Sequence, residues 1–305
     1  MGRYIVKRLV QVIPVLLGIT LVTFILVRLT GDPAAIMLPP DTPKEAVAEF
    51  RQEFGLDQSV LIQYFRFLAK AAQGDFGKSI RYREPVLKLF AERLPATIEL
   101  ALASMALAII IGIPLGVLSA VKRDTWIDHF ARFFALFGQA IPSFYLGLML
   151  IIIVAVRLRL LPTGGRGTWQ QLILPSITLA TFMIALIARF TRGAVLDVLR
   201  QDYVRTARAK GLSEGSLLWR HVLKNAMLPV ITVIGLQLGA ILSGAVVAET
   251  VFAWPGVGRF MVQAISTRDF PIVQATVMIV AIVFVTVNLL VDLAYAWLDP
   301  RIKYE

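Results

Sequence analysis

The chain has 305 residues, of which 57% are hydrophobic, with a mean hydropathy of +0.74, a formal net charge of +11 and a pI near 10.2. This pairing excludes a soluble basic protein such as a nucleic-acid binder and points to a polytopic membrane protein, whose cytoplasmic loops collect Lys and Arg. The sequence holds no cysteine, so disulfides, Cys-zinc sites and thiol catalysis are excluded.

Arg3, Lys7 and Arg8 precede an apolar run from Leu9 to Leu29. At about 1.5 Å per residue this run crosses a ~30 Å hydrocarbon core. It is too long for a leader h-region and reads as a retained first span with a cytoplasmic N-terminus. Gly31-Asp32-Pro33 ends it.

A mixed segment follows to about Pro95. Thr42-Pro43-Lys44-Glu45 reads as a capping box with proline at N1, ahead of Val47, Phe50 and Phe54 on one helix face. Val60, Leu61, Tyr64, Phe65 and Leu68 form a second apolar stripe. A third short amphipathic piece starts at Pro85 with Leu87, Phe90 and Leu94. Acids and bases balance here, and the expectation is a set of helices packed on the outer membrane surface or on the bundle.

The second span is expected over 96–120, with Gly112 and Gly116 one turn apart around Pro114. Small residues at that spacing let helices approach closely. Lys122, Arg123 and Arg132 mark a short inner loop. The third span, Phe133 to Val156, contains Pro142. Arg157, Arg159 and the turn Pro162-Thr-Gly-Gly165 bring the chain outside, and a fourth span, 172–190, returns it.

Next comes RQDYVRTARAKGLSEGSLLWRHVLKNAMLP, Arg200 to Pro229, rich in base: Arg200, Arg205, Arg208, Lys210, Arg220, His221 and Lys224, with Arg192 nearby. Gly211 predicts a helix stop with positive φ, Ser213 an N-cap, and Glu214 an acid in the next first turn. The stretch reads as a polar elbow between two spans, built to meet a protein or a headgroup in water.

The fifth span, Val230 to Val247, carries the small-residue stripe Gly235, Gly239 and Ser243, and a polar Gln237 that either bonds a neighbouring helix or lines a pathway. Glu249-Thr-Val-Phe252-Ala-Trp254-Pro255-Gly256 follows, with Phe252 and Trp254 as expected interface anchors and Pro255-Gly256 as a turn. The sixth span, Pro271 to Trp297, carries Asn288 and Asp292 on one face, Asp292 being expected to pair with a base near the inner surface. The tail Asp299-Pro-Arg-Ile-Lys303 lies inside. No internal repeat stands out.

Three patterns imitate catalytic motifs. Gly211-Leu-Ser-Glu-Gly215 matches G-x-S-x-G but follows a basic helix, where a nucleophile elbow needs a strand and a downstream triad. Gly77-Lys78-Ser79 resembles a P-loop end, but Ala72 stands where the first glycine belongs. His129 and His221 occur singly, so metal catalysis has no ligand set. The chain is expected to be no enzyme.

Tyr203-Val-Arg-Thr-Ala-Arg-Ala-Lys-Gly211 with His221-Val-Leu-Lys-Asn225-Ala-Met-Leu-Pro229 resembles the cytoplasmic coupling loop of ABC-importer permeases. Arg205-Thr206-Ala207 stands where the wider superfamily has Glu-Ala-Ala, with Gly211 four residues beyond the last Ala. Together with Gly55-Leu-Asp-Gln, Gln73-Gly-Asp-Phe-Gly77 and the Trp254-Pro-Gly loop, this is similar to the peptide branch, which includes dipeptide and glutathione permeases.

The resemblance implies an all-α type I permease fold with six transmembrane helices and both termini cytoplasmic. It divides the chain into a first helix (1–30), an extracytoplasmic helical segment (31–95), a five-helix core (96–297) with coupling loop 191–229, and a tail (298–305). It implies a multi-pass inner-membrane subunit that partners a homologous second permease, two ABC ATPases and an extracytoplasmic solute-binding protein, and that moves a peptide. ATP and Mg would sit on the ATPase subunits, with no cofactor on this chain. The residues it assigns to ATPase coupling are Tyr203, Arg205, Thr206, Ala207, Arg208, Lys210, Gly211, His221, Asn225 and Pro229. Gln237, Glu249, Phe252, Trp254, Pro255 and Gly256 are pathway or outer-loop residues, and Gly112, Gly116, Gly235 and Gly239 are packing residues. A nickel-type permease of the same branch, or a secondary carrier whose elbow binds anionic headgroups, is the alternative.

Overall fold

A computed structural model describes residues 2–29, 34, 38–39 and 41–298. The Gly31-Asp32-Pro33 turn, the tail beyond Leu298, and the side chains of Ser243 and Asp292 lie outside what is described. Among the described residues the protein is helical, with one isolated bridge between Lys78 and Pro85. The helices are α1 (Gly2–Leu29), α2 (Lys44–Glu53), α3 (Val60–Ala71), α4 (Val86–Val121), α5 (Trp126–Ala140), α6 (Ser143–Leu150), α7 (Trp169–Leu199), α8 (Asp202–Ala209), α9 (Glu214–Leu217), α10 (Leu223–Val251), α11 (Val257–Ser266) and α12 (Phe270–Leu298). The chain divides into two compact units, 1–97 with 255–289 and 299–305, and 98–254 with 290–298.

In the first unit, Tyr64 of α3 is buried and its hydroxyl meets Thr20 Oγ1 at 3.1 Å and the Leu17 carbonyl at 3.0 Å, while its ring sits edge-on to Phe24. The stripe expected on α3 is thus only half used, since Leu61 and Phe65 are exposed. Phe50 of α2 packs with Ala34 and Ile80, flanked by Val47 and Phe54. The expected capping box is absent: Pro43 is itself the N-cap, and Thr42 Oγ1 bonds back to the Pro39 carbonyl at 2.7 Å. The hydroxyl prefers this local turn to the helix N–H groups.

The carboxylate of Asp269 is fully buried ahead of α12. It accepts from Ser79 Oγ (2.5 Å), Arg81 N (3.0 Å), Ile80 N (3.3 Å) and Ile272 N (3.4 Å). The Gly77-Lys78-Ser79 sequence is therefore a structural turn whose serine is tied down. The piece expected from Pro85 is not separate. It forms the first turns of the 36-residue α4, burying Val86, Leu89 and Phe90 and leaving Leu87 exposed. The helix passes Pro95, with Ala96, Thr97 and Leu100 buried just beyond.

The second unit is built on α4, α7 and α10, whose Ala101, Met105, Ala108, Met183, Ile187 and Val230 share one core cluster. The glycines of α4 set its distance from α7. A Cβ on Gly116 would lie 2.5 Å from the Ala188 carbonyl oxygen and 2.6 Å from Thr191 Cβ, and one on Gly112 would lie 3.0 Å from Ile187 Cγ2. Gly235 and Gly239 of α10 are also buried.

The expected third span is not one straight crossing. The helix stops at Ile141, whose backbone is extended (φ −76°, ψ 125°), and the run Ser143–Arg157 leaves at 101° to α5. Pro142 causes this, because its ring pushes the preceding residue out of the helical region. Among the described residues, four helical runs can cross a membrane by length and apolarity: Val86–Val121, Trp169–Leu199, Glu214–Gly239 and Phe270–Leu289; the bent pair adds a fifth. In α1 the apolar part described is the shorter Ile13–Leu26.

Candidate functional site

The elbow begins where α7 ends. Gln201 is extended, and α8 then buries Val204 and Ala207 in a cluster with Ala120, Val195, Leu217 and Val222. Tyr203, Arg205, Thr206, Arg208 and Lys210 are exposed on the other face. One short helix thus anchors by two apolar residues and presents base outward, which is what its i, i+3 spacing dictates.

Gly211 follows the α8 cap with φ 81°, and its N–H bonds the Arg208 carbonyl at 3.0 Å. Nothing lies within 4 Å of where its Cβ would be, so glycine is required by torsion, not by crowding. Ser213 caps α9 by accepting from Ser216 N at 3.4 Å. The serine of the G-x-S-x-G pattern is therefore a helix cap. Across the turn, Arg208 donates from Nε and Nη2 to the two Glu214 oxygens at 2.6 and 3.1 Å. The carboxylate holds the Arg208 guanidinium above its ordinary pKa, chiefly through this hydrogen bond.

Downstream, α9 runs without a break through a π-helical turn, Leu218–Val222, into α10. The second half of the elbow and the expected fifth span are thus one rod, which contains Pro229 and extends to Val251. Asn225 ties this rod to α8, its Nδ2 donating to Tyr203 Oη at 2.9 Å and to the His221 carbonyl at 3.1 Å. Trp219 is 73% exposed beside Arg220 and was not singled out in the sequence.

A polar cluster that the sequence did not announce lies at the α4–α5 turn. Asp128 is fully buried and accepts two parallel bonds of 2.8 Å from Arg192, one of 2.6 Å from Ser119 Oγ and one of 3.1 Å from the Asp124 N–H. An acid in the first turn of an apolar helix was the available signal. His129 meets Arg132 at 3.0 Å, and among the described residues no group of His, Asp and Glu could hold a metal.

At the other end of this unit, Phe252 and Trp254 are buried, not interfacial as expected. Phe252 packs with Ala155 and Leu174, its carbonyl accepts from Gly165 N at 2.8 Å, and a Cβ on Gly164 would fall 2.1 Å from that oxygen. Arg166 lies over the Trp254 ring at 5.9 Å and bonds Glu99. The aromatics are consumed by the 162–166 turn. Glu249 is fully buried and its carbonyl accepts from Trp254 N at 2.8 Å; Gln237 is half-buried. In the first unit, Pro255 is exposed and Gly256 is the N-cap of α11.

The fold is thus a set of long apolar helices that carries an exposed basic elbow. The family of binding-protein-dependent transport system inner membrane components matches residues 112–304, and its N-terminal counterpart matches residues 1–101. The chain belongs to this family and is an inner-membrane permease subunit of an ABC importer. It is 42% identical to the dipeptide transport system permease protein DppB of Alkalihalophilus pseudofirmus and 42% identical to the glutathione transport system permease protein GsiC of Escherichia coli, covering 100% of both chains in each case. Among solved structures, an inward-facing MetNI methionine ABC transporter aligns with a TM-score of 0.60 at 18% identity, over 71% of this chain and 99% of that one. An amino acid ABC transporter solved with histidines aligns with a TM-score of 0.53 at 14% identity, over 71% and 95%.

Proposed function

We propose that the chain forms half of a translocation pathway for di- or oligopeptides, glutathione included, and that the elbow transmits the motion of separate ATPase subunits to it. The observation that carries this reading is α8 itself, whose Val204 and Ala207 are locked into the core while its basic face is exposed. The Arg208–Glu214 clamp and the Asn225–Tyr203 bond brace the same helix against α9 and α10. A push on α8 then moves the whole α9–α10 rod and alternates access as a rigid body. The full-length relatives named for dipeptide and glutathione transport support the substrate class.

Six crossings follow if α1 spans beside α4, the bent α5–α6 pair, α7, the α9–α10 rod and α12, with both termini inside. A homologous second permease, two ATP- and Mg-binding subunits and an extracytoplasmic binding protein complete the importer. This chain binds none of the nucleotide. The test is reconstitution of the complex in proteoliposomes with its binding protein, measuring ATP hydrolysis and uptake of labelled dipeptide, glutathione and nickel. Peptide uptake tied to hydrolysis supports the reading. Uptake of nickel alone would assign the nickel branch, and ion-driven uptake by the chain without ATPases would make it a secondary carrier.

A further inference from the structure

A cavity of about 350 Å³ lies between α4, α5 and α7 in the second unit, within the size range of ligand sites. Its floor is apolar, from Leu115, Ala131 and Ala135, and the exposed Arg132, Leu136 and Arg189 stand at its rim. Arg192 also lines it but is held by Asp128. Arg132 Nε reaches the same carboxylate only at 3.4 Å, and Arg189 bonds the neutral Gln139 at 3.3 Å. The lining thus holds three guanidinium groups and no carboxylate, Asp128 pairing with Arg192 and Arg132 from outside it, and the site is net positive.

Its depth is set by α7. Thirty-one residues span ~46 Å, well beyond a ~30 Å hydrocarbon core. Arg189 lies about 15 Å from the elbow end of that helix. With the elbow in the cytoplasm, as proposed above, this is the level of the inner-leaflet headgroups.

We infer that this cavity binds an anionic phospholipid of the inner leaflet, with the phosphate on Arg132 and Arg189 and the upper acyl chain on the apolar floor. Basic pockets between transmembrane helices on the cytoplasmic side suit such headgroups. A solute carboxylate would satisfy the arginines and leave the floor wet, whereas a lipid covers both.

The test uses the purified importer complex in phosphatidylcholine membranes doped with spin-labelled phosphatidylglycerol or phosphatidylcholine. The readout is the motionally restricted fraction of each lipid, which does not depend on ATP hydrolysis or on the peptide assignment. Wild type should prefer phosphatidylglycerol, and Arg132→Gln and Arg189→Gln should each weaken that preference by about fivefold. Ala135→Trp, which fills the cavity and keeps both arginines, should weaken it as well. Equal retention of the two lipids by wild type, or an unchanged preference in the double arginine variant, would overturn the site. So would displacement of the lipid by soluble glycerol phosphate, or a raised KM for peptide with unchanged lipid retention; the latter would mark a solute station instead.

Discussion

Arg192 of α7 grips Asp128 of α5 with two parallel hydrogen bonds of 2.8 Å, although the two residues are 64 apart in sequence. Asp128 is fully buried and Arg192 is 21% exposed on its side chain, so removing the carboxylate leaves a cation with little water. Breaking one side of such a pair costs about 3–5 kcal/mol, against about 1.5–3 kcal/mol for a single hydrogen bond to a charged group. Asp128→Asn should therefore lower the thermal midpoint of the purified complex clearly more than Ser119→Ala does. Equal midpoints for the two variants would show that the pair contributes no more than the serine bond.

The α4–α7 contact predicts an order among three glycines. Gly116→Ala places a methyl 2.5 Å from a backbone oxygen that cannot rotate away, while Gly112→Ala meets Ile187 Cγ2 at 3.0 Å and the Ile184 carbonyl oxygen at 3.1 Å, contacts tight by only a few tenths of an ångström. Overpacking of this kind costs about 1–3 kcal/mol, with Gly116→Ala at the upper end. Gly193→Ala meets nothing within 4 Å and should be neutral or slightly stabilising by helix propensity. Thermal scans of the three variants read the order directly; a Gly193→Ala variant as unstable as Gly116→Ala would refute the packing account.

What was legible in the sequence is what depends on neighbours along the chain. Gly211, Ser213 and the acid of Glu214 fix a local turn through torsion and capping, and the structure places each in that role. The Gly112–Gly116 approach was legible for the same reason, as a one-turn spacing. Prolines divided: Pro142 bends its run by 101°, whereas α4 continues past Pro95. Propensity alone does not separate these cases, because packing on either side of Pro95 holds the helix. Phe252 and Trp254 have the composition of interface anchors, and distant partners, Ala155, Leu174 and the Gly164–Arg166 turn, make them core. Thr42 offered a cap but found a nearer carbonyl. The Asp128–Arg192 pair is likewise non-local, and sequence supplies the acid without naming its partner.

The proposed six-span map predicts which side each loop faces. The region around Gln58 should be outside and Lys210 inside. Gln58 is half-buried, so the exposed Asp57 beside it is the better reporter. The natural chain has no cysteine, which leaves the introduced thiol as its single target. In intact cells an impermeant thiol reagent should label Asp57→Cys and spare Lys210→Cys, with both labelled after permeabilisation. The reverse pattern would invert the map and remove the elbow from the ATPase side.

Gly211 tests the lever itself. Its φ of 81° costs a residue with a side chain roughly 1 kcal/mol or more, and a β-branched residue most. The open space around it means that a substituent clashes with nothing, so the strain must be relieved by turning α8 relative to α9. That motion opposes the Arg208–Glu214 clamp and redirects Tyr203, Arg205 and Lys210. Gly211→Val should accordingly insert at normal abundance and retain binding-protein docking, yet lose transport, with the ATPases either released or hydrolysing without substrate stimulation. Gly211→Asn, which tolerates positive φ, should retain most of the coupling. The measurement is subunit recovery together with binding-protein-stimulated ATP hydrolysis and uptake in proteoliposomes. If Gly211→Val keeps both stimulation and uptake at wild-type levels, the elbow does not transmit the stroke and another inner surface must.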